Sequence, residues 1–95
     1  MKEKVYAYLK TIPKGKVTTY GRIALYLGNK HLARTVGNIL HQNPDPAQFP
    51  CHRVVNHAGR LAPGFHNQRM LLELEGVIIK ENGCVDMARF RWEAE

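Results

Sequence analysis

Ninety-five residues with a net charge of +6 make one domain, 1–95, with room for a modest core. Two cysteines exclude a disulfide-stapled scaffold, and no apolar run reaches the roughly 20 residues of a membrane span or follows the basic start as a signal peptide would, so a cytoplasmic protein with reduced thiols and no membrane partner is expected. The charge is uneven: residues 1–70 hold 11 Lys and Arg against Glu3 and Asp45, and residues 71–95 hold 3 against 6 acids, a basic body that suits a nucleic acid although solubility alone would also explain it.

Residues 4–12 place Val5, Tyr8, Leu9 and Ile12 at i, i+3, i+4 and i+7, the stripe of an amphipathic helix. Pro13-Lys14-Gly15-Lys16 ends it. Thr18 and Thr19 offer N-caps for a second helix carrying Ile23, Ala24 and Leu27, with Gly28 as the residue that closes it. A third helix follows after Asn29 and Lys30, with Leu32, Val36, Ile39 and Leu40 on its apolar face, and stops near Asn43-Pro44. Two short helices joined by a glycine turn read as a helix-turn-helix. Residues 49–55 have strand character, shortened or placed at an edge by Pro50. Asn56-His57-Ala58-Gly59 is a turn. Met70, Leu71 and Leu74 mark a fourth helix ending at Gly76. Residues 77–79 and 84–85 flank Asn82-Gly83, a strong hairpin signal. The expected fold is mainly α with a small β-hairpin wing, a winged helix-turn-helix.

Chemistry concentrates in Pro50-Cys51-His52-Arg53-Val54-Val55. A thiol attacks only as thiolate, and an ordinary one ionises near pH about 8.5, so a base or cation must help. His52 is adjacent, and Glu75 on the fourth helix is available to orient it. Most Cys-His pairs are a structural thiol beside an incidental histidine, so the pair does not decide the matter alone. Cys51, His52, His57, His66 and Cys84 carry enough donor atoms for zinc. No C-x₂-C pair exists, however, and neighbouring Cys51 and His52 make awkward co-ligands, so no metal is expected.

The same residues resemble the active-site, DNA-binding domain of the O6-alkylguanine-DNA alkyltransferases and the related alkyltransferase-like proteins. Four segments carry the resemblance: Pro13-x-Gly15-x-Val17-x-Thr19-Tyr20-Gly21-x-Ile23-Ala24, then Ala33-Arg34-x-Val36-Gly37, then Asn43-Pro44 leading at the family's offset to the Cys51 run, then Leu71-Leu72-x-x-Glu75-Gly76. The resemblance implies a monomeric DNA repair protein needing no cofactor, associated with the nucleoid if the source is prokaryotic. It implies that a guanine is flipped from double-stranded DNA and that its O6-alkyl group passes irreversibly to the cysteine, once per molecule. On that pattern Cys51 accepts the alkyl group, His52 is its base through a water, Glu75 orients His52, and Asn43 holds the turn. Tyr20 donates to guanine N3, the Val54 carbonyl accepts from the guanine amine, and Leu40 lines the pocket. Arg34 enters the stack in place of the flipped nucleotide, where a planar, always-charged guanidinium both stacks and hydrogen-bonds. Thr19, Tyr20, Ala33, Gly37 and Asn38 are the other DNA contacts, the small ones admitting the helix to the minor groove.

Two departures matter. The family's usual preceding domain is expected to be missing, as in the alkyltransferase-like proteins, which carry Trp where this chain has Cys51. The residues 85–92 also look like that branch. Residues 61–68 are shorter than the corresponding alkyltransferase loop, which carries a small hydroxyl or amide donor facing O6, so stabilisation of the departing oxygen is expected to be weaker or differently supplied. One such donor is worth about 3 kcal/mol in a barrier. A single-turnover methyltransferase and a lesion sensor that recruits nucleotide excision repair proteins are therefore both open, and a plain winged-helix transcription factor would need neither Cys51 nor Tyr20.

Overall fold

A computed structural model describes residues 1–93. Helix α1 (Lys2–Leu9) buries Val5 and Leu9, and the chain beyond it buries Ile12. The helix thus starts earlier and stops sooner than its apolar stripe suggests. Its last stripe residue belongs to the following turn, where Ile12 N–H bonds the Leu9 carbonyl at 3.2 Å.

Strand β1 (Thr18–Thr19) runs straight into α2 (Tyr20–Tyr26). Thr19 is the N-cap: its hydroxyl accepts from Arg22 N–H at 3.1 Å, which satisfies one of the donors a helix start leaves open. At the other end Gly28 takes a φ of +96°. Its N–H bonds the Leu25 carbonyl at 2.9 Å, and Asn29 N–H reaches back to Ala24 at 3.1 Å. These two bonds close a helix through a left-handed residue, a conformation glycine adopts without strain. Asn29 then caps the next segment through His31 N–H at 2.9 Å, and a 3₁₀ turn (Lys30–Leu32) leads into α3 (Ala33–His41). Helices α2 and α3 pack together across this turn, the arrangement of a helix-turn-helix.

The expected strand over 49–55 shrinks to β2 (Val54–Val55). Cys51–Arg53 form a 3₁₀ turn instead. Cys51 N–H bonds the Phe49 carbonyl at 2.7 Å and Arg53 N–H bonds that of Pro50 at 3.1 Å, so these groups are spent locally. Strand β2 pairs in parallel with β1, Thr18 opposite Val54 and Thr19 opposite Val55. Successive strand residues face opposite ways, and the core divides accordingly. Val54 joins Val5, Leu9, Ile23, Val36 and Ile39, while Val55 joins Val17, Leu72, Val77 and Val85. The two-residue sheet is therefore the seam between two halves of one core.

Helix α4 (Gln68–Leu74) presents an unexpected face. It buries Gln68 and Leu72, while Met70 is 52% and Leu74 73% exposed. The β-hairpin wing does not form as a pair of strands. Its turn is present: Gly83, at φ +84°, donates to the Lys80 carbonyl at 2.9 Å, and Lys80 N–H bonds Cys84 at 2.8 Å. The pairing beyond is one bridge, Ile79 to Val85, because Cys84 bridges Arg60 and Val85 N–H is taken by Gly59 at 2.8 Å. The fold is mostly helical with a small two-stranded parallel sheet. A short helix α5 (Met87–Phe90) is the last element, and the segment after it bonds Val17, Trp92 N–H to the Val17 carbonyl at 2.7 Å.

Candidate active site

The loop after α3 turns back sharply, and Asn43 holds it. Its side-chain amide donates to the Phe49 carbonyl at 2.8 Å, and its oxygen accepts from Asp45 N–H at 3.0 Å. That turn delivers Cys51, a free and partly exposed thiol, to a pocket of about 500 Å³. The walls are Tyr20 from α2, Gly37, Asn38, Leu40 and His41 from α3, Asn43 and Pro46 from the turn, and residues 62–65. A pocket of this size holds a purine base with room for a substituent. The Tyr20 ring lies against Gly37, where an added Cβ would meet its ring carbons at 3.9 Å. Burial, and then the charge of Cys51, push the Tyr20 hydroxyl above its ordinary 10, so it keeps its proton as a donor.

His52 is buried behind Cys51 and meets Glu75 with Nε2 to Oε2 at 2.8 Å. Glu75 is shared. The Arg53 Nη2 donates to the same oxygen at 2.8 Å, its Nε to Oε1 at 3.0 Å, and Gly15 N–H to Oε1 at 3.3 Å. Arg53 also donates to the Ile12 carbonyl at 2.8 Å. Burial alone would raise the Glu75 carboxyl. The hydrogen bonds from Arg53, His52 and Gly15 outweigh it and hold the group at about 2, ionised across the working pH range. An anionic Glu75 bonded to Nε2 fixes the orientation of the imidazole.

The structure brings together Cys51, Tyr20, Asn43, Leu40, Gly37 and Asn38 in one pocket, with His52 and Glu75 paired behind it. Others stand apart. Arg34 is exposed on the first turn of α3, and Ala33 packs against the core. Thr19 is buried, its hydroxyl engaged as the cap of α2. Val54 is buried and is not a pocket wall; its carbonyl accepts from Gln68 Nε2 at 2.9 Å. Among the described residues no three His, Cys, Asp or Glu side chains gather as a metal site. Sequence reasoning missed Arg53, Gln68 and His41. Gln68 had a signal: with Leu72 and Glu75 it shares one helix face at i, i+4 and i+7.

Comparison with known proteins settles the lineage. The family model of the 6-O-methylguanine DNA methyltransferase DNA-binding domain matches residues 1–77. This chain belongs to that family. It is 39% identical over 93 residues to the DNA base-flipping protein of Escherichia coli K12, covering 95% of this chain and 72% of that protein. It is 42% identical over 78 residues to the methylated-DNA–protein-cysteine methyltransferase of Thermococcus kodakarensis, covering 79% of this chain and 44% of the methyltransferase. Among solved structures, S. pombe Atl1 in complex with damaged DNA containing O6-carboxymethylguanine superposes with a TM-score of 0.86 at 33% identity, over 98% of this chain and 94% of that one. The Mycobacterium tuberculosis O6-methylguanine methyltransferase superposes at 0.72 with 40% identity, over 78% of this chain and 47% of that one.

Proposed function

We propose that the protein binds duplex DNA, flips an O6-alkylguanine into the pocket and transfers the alkyl group to Cys51. The observation that carries this reading is Cys51 on the wall of a base-sized pocket, backed by the His52–Glu75 pair. The thiol proton leaves to His52 through a water. Sγ then forms a bond to the alkyl carbon as the carbon–O6 bond breaks. The electron pair of that bond passes into the guanine, which takes a proton at N3 from the half-buried Tyr20 hydroxyl. Water closes the cycle by returning the proton from His52 to Tyr20. The sulfur keeps the alkyl group, so each molecule acts once.

Arg34, exposed on α3, fills the gap left in the stack, and the small residues Ala33, Gly37 and Asn38 let α3 approach the minor groove. The basic charge of residues 1–70 supplies phosphate contacts, so affinity falls steeply with salt.

A second reading has its own support. The DNA base-flipping protein matches nearly the whole chain, whereas the methyltransferase matches 79% of it. Residues 62–65 also bring no side-chain donor to the pocket. On this reading the protein holds the flipped base without transferring its alkyl group and recruits nucleotide excision repair. Intact mass after incubation with an O6-methylguanine duplex decides between them. Transfer adds one methyl group, located on the peptide containing Cys51 and missing in Cys51→Ala. Tight lesion binding with unchanged mass would leave only the sensor.

A further inference from the structure

We propose that Gln68 is a positioning residue that fixes the outer wall of the pocket to the Cys51 turn, and that preference for a flipped lesion base depends on it. This rests on the reading of the pocket as a lesion site, and holds whether the base is repaired or only held.

Gln68 opens α4 with 0% exposure, an unusual place for a primary amide. Burial of such a group is tolerated only when its donors and acceptor are used. All are. Nε2 donates to the His52 carbonyl at 3.0 Å and to the Val54 carbonyl at 2.9 Å. Oε1 accepts from Ala62 N–H at 2.6 Å. The first two bonds grip the turn that carries Cys51, on both sides of Arg53. The third grips the first residue of the pocket wall 62–65.

That wall has little else to hold it. Pro63 has no N–H to give. Gly64 sits at φ +79° with open space where a side chain would be. The backbone bonds made by the wall itself, Phe65 N–H to Ala62 and Gln68 N–H to Phe65, are both long at 3.2 Å. Both sides of the pocket therefore meet in one amide. A shift of that amide moves the wall relative to Cys51, while α3 and the basic surface stay where they are. Gln68 touches no reacting atom, so its effect falls on how well the pocket accepts the base.

Gln68→Met keeps the length and removes all three bonds. In a Cys51→Ala background, so that equilibrium binding is read, its affinity for an O6-methylguanine duplex is compared with that for the same undamaged duplex, well below the melting temperature. The expected result is a lesion preference reduced about tenfold or more, with undamaged-DNA affinity within about twofold of the parent. Exchange of the Ala62 amide quickens at least about tenfold while that of Leu72 is unchanged. A lower melting temperature with the lesion preference intact would mean that Gln68 only stabilises the fold, and would overturn the proposal. Should Gln68→Met fail to fold, Ala62→Pro deletes the third bond from the other side and leaves the core amide in place. The same loss of preference is expected, and an unchanged preference overturns the proposal equally. If the parent itself shows no preference for the lesion, the functional reading falls; if the parent shows one and Gln68→Met keeps it, only the role of Gln68 falls.

Discussion

Glu75→Gln exchanges one oxygen for an amide group and removes the charge on which His52, Arg53 and Gly15 converge. The Arg53 side chain, 16% exposed, then keeps the Ile12 carbonyl and one neutral oxygen. Removing one partner of a buried ion pair costs about 3–5 kcal/mol, most of it from the charge left behind. Protonation gives a separate figure. The carboxyl lies at about 2 against an ordinary 4.5. At about 1.36 kcal/mol per pH unit, its surroundings contribute about 3 kcal/mol to the ionised folded state. The site borders a second groove lined by Lys10, Gln48 and Leu71, so solvent screening trims this toward about 2. The sign follows from the depressed folded value. As pH falls the unfolded chain takes up the proton first, so the stabilisation is complete above about 4.5 and lost on the way down to about 2. Urea denaturation of both proteins at pH 7 and pH 3 measures it. The expected gap is about 2–3 kcal/mol at pH 7, falling by more than half at pH 3. A gap equal at both pH values, or under about 1 kcal/mol at pH 7, would refute the view that the Glu75 charge organises this site.

Gly59 is at φ +86°, and an added Cβ would lie 2.5 Å from the Val85 carbonyl oxygen, so Gly59→Ala should cost at least about 2 kcal/mol and lower the melting temperature by about 8–16 °C. Arg34→Ala, at an exposed helix position, should leave denaturation within about 0.5 kcal/mol while weakening lesion binding measured by fluorescence anisotropy; unaltered lesion binding would remove Arg34 from the stack. On the proposed transfer, Tyr20→Phe should slow methyl transfer about tenfold or more under single-turnover conditions, with melting little changed, since it removes the proposed proton donor to the departing base.

The parts legible in the sequence are those written in local chemistry. Thr19 before an apolar-periodic run announces a helix start, and Gly28 followed by Asn29 announces its end, because cap and closure are made within a few residues. The Cys51 run was legible through its family pattern, and so was the meeting of His52 with Glu75. Spacing alone could not have paired them. The parts that were not legible depend on distant partners. Strands of two residues carry no periodicity, so the β1–β2 pairing was invisible, and Thr18 and Thr19 read only as caps. The face of α4 was misjudged because Met70 and Leu74 are the apolar residues. The buried positions went to Leu72 and to Gln68, where three backbone groups needed an amide. The hairpin signal at Asn82-Gly83 specified its turn correctly. It could not foresee that Cys84 and Val85 would be claimed by Arg60 and Gly59.

On the proposed function, capture and chemistry fall to different parts of this molecule. Helix α3, the wall 62–65 and Cys51 shape the space a base would enter, while His52 and Glu75, at the end of α4, are paired behind it. Tyr20 belongs to both, since its ring lines the pocket and the charge of Cys51 discourages its ionisation. Burial first, and then the neighbouring Cys51, keep the proton on Tyr20, because two anions side by side are disfavoured. A protonated hydroxyl there suits both readings, since it can bond a held base or give a proton to a departing one. The charge network behind Cys51 holds His52 in place on either reading, so it is the thiol at position 51, and not that network, that separates transfer from holding.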